Sequence, residues 1–228
     1  MSKKSGDVYG RLSDLIFSGE YEMGSNLAER NLATRLGVSR IPVREILVRL
    51  VAQGTLEGGA KGEGVRMRRY TADEIRQLYD FRAIIEGGVA RSAAMSASQA
   101  DILRLSIICD EMESVLEGTD AKRWGTLDRQ FHEALAEAAR NDRFEKSLKN
   151  LLHESFYVFY MVARKRSISE LSADEMASHQ RLALDDHRAI VEHVTARSAE
   201  EAESRARLHI LRSADRVIRA AIENDLGG

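Results

Sequence analysis

Apolar residues recur at helical spacing along most of the chain, and a single proline, Pro42, interrupts its 228 residues. Because proline lacks a backbone N–H and breaks helix interiors, a chain with so few prolines favours long helices joined by short turns. From residue 72 onward the apolar positions repeat every three or four residues, and no useful stretch alternates with the two-residue period of a strand. The sequence therefore predicts a mainly α protein.

The C-terminal part of the chain is predicted to be an all-α helical bundle. Thr71, Ser98 and Ser198 each stand three residues before an acidic residue, which is the capping-box pattern of a helix start. The first of these helix starts, at Thr71, marks the boundary between two domains, at 1–70 and 71–228. No glycine-, serine- or proline-rich tether separates them. The predicted helices of the second domain cover about 72–95, 99–117, 120–139, 141–166, 173–196 and 198–224.

The N-terminal 70 residues are predicted to form a winged helix-turn-helix. Helical spacing over Leu27–Leu36 is followed by Gly37, which suits the left-handed residue that ends a helix. Ser39 then stands at the N-cap of the next helix, with Pro42 in its first turn, where a missing N–H costs nothing. A glycine-rich loop between two short strands completes the pattern as a small β wing. The wing comprises strands at 55–57 and 65–68 and a tip at 58–64.

Positive charge is concentrated in that N-terminal part. Residues 1–70 hold 12 Lys and Arg against 8 Asp and Glu, a balance of +4, whereas the remainder carries −6. A basic module on an acidic body indicates a polyanionic partner for the module alone. The alternative is a solvated basic helix face that has no such partner.

Arg40 and Arg44 lie four residues apart on the predicted third helix and therefore share a face. They occupy its first turns, the part of a recognition helix that reaches base edges in the major groove. Arginine can pair bidentately with guanine, and the Ser39 hydroxyl with the helix-start amides can hold a phosphate. The alternative is that both arginines only pair with Glu29 or Glu45 on the surface.

The run LAERNLATRLGVSRIPVREILVRLVAQGTLE, with the glycine-rich wing that follows it, resembles the N-terminal domain of the GntR family of bacterial transcription regulators. A helix-turn-helix reads DNA well when a dimer presents two copies to a palindrome, so we expect a homodimer on palindromic operator DNA. Ile41 stands where the family usually has threonine, so the resemblance does not define the exact operator sequence. The resemblance implies DNA contacts by Arg30, Ser39, Arg40, Arg44, Arg49, Lys61 and Gly62.

Four polar side chains on the apolar faces of the bundle helices form a candidate metal site. Asp128 and His132 are four residues apart at the edge of one apolar stripe, and burying them unpaired is costly. His187 lies within a stripe of leucine, isoleucine and valine, and His209 has small neighbours that leave room for a ligand or an ion. Three imidazoles and one carboxylate suit a divalent transition metal. The alternative is that each histidine only forms hydrogen bonds.

The C-terminal part resembles the FCD domain, the helical effector domain of FadR-type GntR regulators. The matching residues are Tyr79-x-Phe81-Arg82-x-x-Ile85-Glu86, Asp128-x-x-Phe131-His132, His187-Arg188-Ala189-Ile190 and Leu208-His209. The resemblance implies that the candidate site binds a metal and that a carboxylate effector completes its shell. The ligand set suits zinc foremost and tolerates nickel or manganese. Arg82 is the candidate to hold the carboxylate bidentately, and the alternative is an intrahelical ion pair with Glu86.

These features predict a transcription regulator whose operator affinity is controlled by a small organic acid bound at the metal site. We expect effector binding to shift the population between two arrangements of the recognition helices. The alternatives are a regulator that responds to the metal ion itself, a purely structural metal, an acyl-CoA-binding member of the subfamily, and a metalloenzyme. The intact Asp-His-His-His set argues against an acyl-CoA pocket. HExxH, GxSxG and P-loop motifs are absent, so we expect no enzyme activity.

Composition argues against several other classes of protein. The single cysteine, Cys109, excludes a disulfide framework and a multi-cysteine zinc site. No apolar run approaches the ~18 residues of a spanning helix, and the N-terminus lacks the apolar core of a signal peptide. We therefore expect a bacterial cytoplasmic protein, associated with the nucleoid when bound to its operator, with no membrane partner.

Overall fold

The computed structural model describes residues 3–18, 20–59, 64–116, 121–165 and 173–226. The chain divides into two compact units. Unit 1 comprises Met1–Thr71 and His153–Met161, and unit 2 comprises Ala72–Leu152 and Val162–Gly228. None of the helices in the described ranges is long and apolar enough to cross a lipid bilayer.

Unit 1 contains a helix-turn-helix followed by a small antiparallel sheet, as the sequence predicts. Gly37 closes the first helix of the motif with a left-handed φ of 67°, and its N–H reaches the carbonyl oxygens of Ala33 and Thr34. The sheet has the strand order β1-β3-β2. The elements are α1 (Lys3–Ile16), β1 (Asn26–Leu27), α2 (Glu29–Leu36), α3 (Arg40–Ala52), β2 (Leu56–Gly58) and β3 (Val65–Met67).

One local prediction for unit 1 is wrong, and another is confirmed in position only. Leu27 was assigned to a helix, but it lies in β1, paired with Val65 of the wing, and α2 begins at Glu29. A single buried leucine fits the buried face of a helix or of a strand equally well. Only its pairing with another strand shows that Leu27 belongs to a sheet. Ser39 does occupy the N-cap of α3, but its side chain makes no capping hydrogen bond.

Residues 153–161 belong by their contacts to unit 1, although the predicted division at residue 70 places them in the C-terminal domain. The ring of Phe17 lies edge-on to the rings of His153 and Tyr157, with centroid distances of 6.0 and 5.6 Å. The Tyr70 hydroxyl donates a hydrogen bond to Glu154 Oε1 at 2.9 Å. These contacts join the end of α1 and Tyr70 to one stretch of the helix α7 (Asp142–Lys165).

Unit 2 is a helical bundle in which α4 packs most extensively against α9. A pair of glycines in α4 permits close approach of its neighbours. A Cβ atom at Gly87 would lie 2.6 Å from Cγ of Arg207, and one at Gly88 would lie 2.8 Å from Cζ of Phe144. The six predicted helices are confirmed to within three residues at each end. They are α4 (Ala72–Ser96), α5 (Gln99–Leu116), α6 (Ala121–Ala138), α7 (Asp142–Lys165), α8 (Ala173–Thr195) and α9 (Ala199–Leu226).

Candidate functional site

Arg40 and Arg44 project from the start of α3 into solvent. Their side chains are 61% and 62% exposed, while the opposite face of α3 buries Val43, Leu47 and Leu50. The helix therefore presents a basic edge outward and an apolar edge to unit 1. This is the arrangement that a recognition helix requires, because the exposed edge can enter a major groove.

Glu29 binds both arginines. Arg44 donates two hydrogen bonds to its carboxylate, from Nε at 2.9 Å and from Nη2 at 3.0 Å, and Arg40 adds a third at 3.3 Å. The hydrogen bond from Arg44 holds the pKa of Glu29 below its ordinary value. The pairing that the sequence left open thus occurs. It does not conflict with DNA binding, since both guanidinium groups remain largely exposed.

The remaining predicted DNA contacts fall in three places. Arg30 and Ser39 are exposed on unit 1. The Arg49 guanidinium lies 5.0 Å from the ring centroid of Tyr9 on α1, about half a turn around α3 from Arg40, so the structure does not bring it to the same edge. Lys61 and Gly62 lie outside the described residues. The DNA-binding roles of all these residues stay predictions.

The four predicted metal ligands come together inside unit 2. One donor atom from each of Asp128, His132, His187 and His209 lies within 4.8 Å of the others. The two residues on α6 project together because they are four apart, and the two remaining histidines reach them from α8 and α9. The three histidines are buried and the aspartate is partly exposed. We call these four residues the tetrad.

The spacing of the tetrad fits a metal ion. His187 Nε2 lies 3.2 Å from His209 Nε2 and 3.7 Å from Asp128 Oδ1. Two nitrogen ligands each ~2.1 Å from one tetrahedral ion are ~3.4 Å apart, which is close to the observed histidine pair. His132 Nε2 is buried and has no hydrogen-bond partner in the described part of the chain. An unpaired buried nitrogen is costly, and a metal ion would satisfy it.

Glu86 contacts one of the tetrad histidines from α4. Its Oε2 lies 2.6 Å from His132 Nδ1, and its Oε1 accepts a hydrogen bond from Arg82 Nε at 2.6 Å. Burial alone would raise the pKa of Glu86, but its contacts with Arg82 and His132 outweigh this effect and hold the pKa at about 2. A carboxylate on one ring nitrogen orients the imidazole and leaves the other nitrogen for a metal.

Asp186 contacts a second tetrad histidine, His209, in the same way as Glu86 contacts His132. Its Oδ2 lies 3.4 Å from His209 Nδ1, and its Oδ1 contacts Arg205 at 2.9 Å and Arg212 at 2.8 Å. Sequence reasoning assigned no role to Asp186 and treated Glu86 only as a partner of Arg82. The available signal was weak, because Asp186 merely adjoins a predicted ligand in the chain.

Two of the tetrad histidines, His187 and His209, have pKa values below the ordinary value. Burial is the largest cause that lowers the pKa of His187, well below its ordinary value, and the neighbouring His209 and His132 lower it further. Burial also lowers the pKa of His209, although its contact with Asp186 opposes this. A neutral imidazole has a lone pair to donate, so protons compete little with a metal ion for these nitrogens near neutral pH.

Arg82, the predicted effector ligand, is buried and bound to Glu86, with side chains only 6% and 2% exposed. The ion pair that the sequence left open as an alternative is therefore present. A role for Arg82 in effector binding stays a prediction.

Two family models match the chain in succession. The model described as "Bacterial regulatory proteins, gntR family" matches residues 4–66, and the FCD domain model matches residues 77–212. The chain belongs to the GntR family of transcription regulators, with a C-terminal FCD domain. It is therefore a DNA-binding regulator rather than an enzyme. FCD domains commonly bind metal, and the tetrad lies within the FCD match.

Relatives of this GntR-family regulator span most of its length. The HTH-type transcriptional regulator LutR of Bacillus subtilis is 30% identical over 213 residues, covering 86% of this chain and 93% of LutR. The gluconate operon transcriptional repressor of Bacillus licheniformis is 29% identical over 151 residues, covering 65% of this chain and 61% of the repressor. Among solved structures, Escherichia coli McbR/YncC shares the fold, with a TM-score of 0.81 at 17% identity over 96% of this chain and 99% of that one.

For this regulator, replacing Arg44 with alanine is expected to weaken operator binding roughly 5- to 150-fold, because one bidentate arginine–base pair contributes ~1–3 kcal/mol of discrimination. The measurement is a fluorescence-anisotropy titration of operator and scrambled duplexes at one salt concentration. Arg35→Ala is the control, since Arg35 lies on α2 and pairs with Glu20 instead. Equal losses on both duplexes would contradict a base-reading role and leave only phosphate contact.

Proposed function

We propose that this protein regulates transcription in response to a small carboxylate effector, which binds in unit 2 at a metal held by the tetrad. The observation that supports the proposal is the convergence of four metal-ligating side chains in the FCD domain. Zinc is the metal that the three imidazoles and one carboxylate suit best, with nickel or manganese as alternatives. A bound metal would supply coordination positions for oxygen atoms of the effector.

The chain's own residues prepare that site. Glu86 and Asp186 orient His132 and His209, and burial lowers the pKa values of His187 and His209. Asp128 is the partly exposed member of the tetrad, so the side on which it lies is the natural approach for a ligand. The relative named as a gluconate operon repressor supports a sugar acid or another small hydroxy acid as the effector class.

We further propose that two copies bind one palindromic operator and that the protein works in the bacterial cytoplasm. Exposed apolar side chains on α4, namely Phe81, Ile84 and Met95, support a face for a second copy. Effector binding controls operator affinity only if it favours one of two arrangements of the recognition helices. Light scattering that gives the mass of a single chain at assay concentrations would exclude the dimer.

The deciding experiment combines thermal melting with operator titration. A panel of small carboxylates is added to the protein as purified and after stripping with a chelator. We expect one acid to raise the melting temperature, with the shift lost on stripping, and the same acid to change operator affinity. An acid that binds but leaves operator affinity unchanged would overturn the switch.

A regulator that responds to the metal itself is the second candidate, because the tetrad alone can close a four-coordinate site. The same titration separates the two functions. Operator affinity that follows the metal and ignores every acid would favour metal sensing. Operator affinity that ignores both, with stability that depends on the metal, would favour a purely structural ion.

A further inference from the structure

Among the described residues, four arginines interact with the tetrad or with the carboxylates that contact it, and three of them have carboxylate partners. Arg82 pairs with Glu86, and both Arg205 and Arg212 pair with Asp186. Each of these cations therefore already contacts a carboxylate of the protein. The fourth is Arg216 on α9, and its surroundings differ.

Arg216 is only partly exposed, and among the described residues it forms no ion pair. In the described part of the chain its guanidinium makes one hydrogen bond, to Ser213 Oγ at 3.0 Å. Burial lowers its pKa, and the more distant charges of Asp128, Tyr79 and Asp186 only partly oppose this. A cation removed from water without an adjacent anion is costly, and most of its five N–H donors remain unused. Such a group is suited to receive an anion.

Arg216 also points toward the tetrad. It follows His209 by seven residues, which is close to two full turns, so both side chains leave the same face of α9. Helix side chains lean toward the N-terminus, and the hydrogen bond to Ser213, one turn earlier, shows that Arg216 follows this direction. The charge of Asp128 also acts on Arg216, although no ion pair joins the two side chains in the described part of the chain.

From this placement we infer that Arg216, rather than Arg82, binds the carboxylate of the effector. The fork of a guanidinium accepts a carboxylate through two parallel hydrogen bonds. The ligand class is a small organic acid that carries a second oxygen group, a hydroxyl or another carboxylate, directed toward the tetrad. The inference rests on the proposed function and assigns the anion-binding side chain within it.

The test uses the full-length, metal-loaded protein with acetate, lactate, succinate and gluconate as probes. Sorbitol serves as the neutral control, and inorganic phosphate as the competing oxoanion. Arg216→Met is expected to weaken binding of the responding acid at least tenfold, measured by thermal shift and calorimetry. Arg216→Lys, which keeps the charge but not the fork, should retain part of the affinity. Arg219→Met is the matched control, because Arg219 is exposed on the same helix.

Two further readouts separate ligand binding from a structural role. Metal affinity, measured by competition with a chromogenic chelator, should be the same in Arg216→Met and the wild type. The ligand-free variant should melt at or above the wild-type temperature, since it loses a partly buried cation that pairs with no carboxylate of the described residues. A variant that melts well below the wild type would show that Arg216 is a structural cation and would overturn the inference.

The remaining outcomes are distinct. A wild-type shift that Arg216→Met retains overturns this inference and leaves the proposed function intact. A wild type that responds to none of the acids overturns both. A larger shift with inorganic phosphate than with any carboxylate would show that the site takes a different anion, which also overturns the inference.

Discussion

Replacing Glu86 with alanine is expected to lower the free energy of unfolding of the metal-free protein by about 3–5 kcal/mol. Glu86 lies between Arg82 and His132, and all three side chains are buried. Removal of the carboxylate leaves Arg82 charged and without its anion, and the cost of an uncompensated buried charge dominates the effect. For a chain of this size the melting temperature should fall by roughly 6–20 °C.

The bundle contains a matched control for this experiment. Arg129 and Glu133 on α6 form the same i,i+4 pair, with a 2.9 Å contact, but about a third of each side chain is exposed. Glu133→Ala should therefore cost no more than ~0.5 kcal/mol. The double variant Arg82→Met with Glu86→Leu should recover most of the loss, because no unpaired charge remains. Equal costs for Glu86→Ala and Glu133→Ala would contradict the buried-charge argument.

Removal of the metal is expected to have an effect of similar size. A ligand present at ~1,000 times its dissociation constant stabilises the native state by ~4.1 kcal/mol, so a chelator should lower the melting temperature by roughly 8–16 °C. The physical reason is that the donor atoms of three buried imidazoles and one carboxylate lie close enough together to bind one ion. Readdition of zinc should restore the original melting temperature.

The His187→Ala variant tests whether the tetrad is responsible. Its Nε2 lies nearest to the donor atoms of His209 and Asp128, so its removal should abolish the difference between metal-loaded and stripped protein. His193→Ala on the same helix is the control, because His193 lies outside the tetrad and should leave the difference unchanged. If stripped and loaded wild-type protein melted together, the tetrad would not be a metal site.

Removal of the metal also tests the proposed control of operator affinity, because the effector is proposed to bind at the metal held by the tetrad. A stripped protein that still responds to an organic acid would separate the effector from the tetrad. The measurement of operator affinity in four states, with and without metal and with and without acid, therefore gives the coupling free energy directly.

The helices of this protein follow from local sequence. Apolar residues at a 3.6-residue period define one face of each helix, and caps define the ends, as the reciprocal hydrogen bonds between Ser98 and Asp101 show. Gly37 adopts the left-handed conformation that its position between two helices requires. The tetrad residues were also identifiable, because a polar residue on an apolar helix face must find a partner.

Short elements and polar partners did not follow from local sequence. β1 has two residues and no period of its own, so only its pairing with β3 defines it. Glu29 and Arg44 are 15 residues apart on different helices, and the packing of α2 against α3 brings them into contact. The different environments of Arg82 and Arg216 also could not be predicted, because they depend on how the helices pack.

The sequence by itself thus determined the helices of the bundle, the helix-turn-helix and the set of candidate metal ligands, because each depends on spacing within one segment or on the cost of burying a polar group. The tertiary structure alone decided which carboxylate serves which cation. Glu86 and Asp186 could each have faced solvent on a helix of the same periodicity. Their partners are set by how α4, α6, α8 and α9 pack, since electrostatic interactions depend on distance in space and not on separation along the chain.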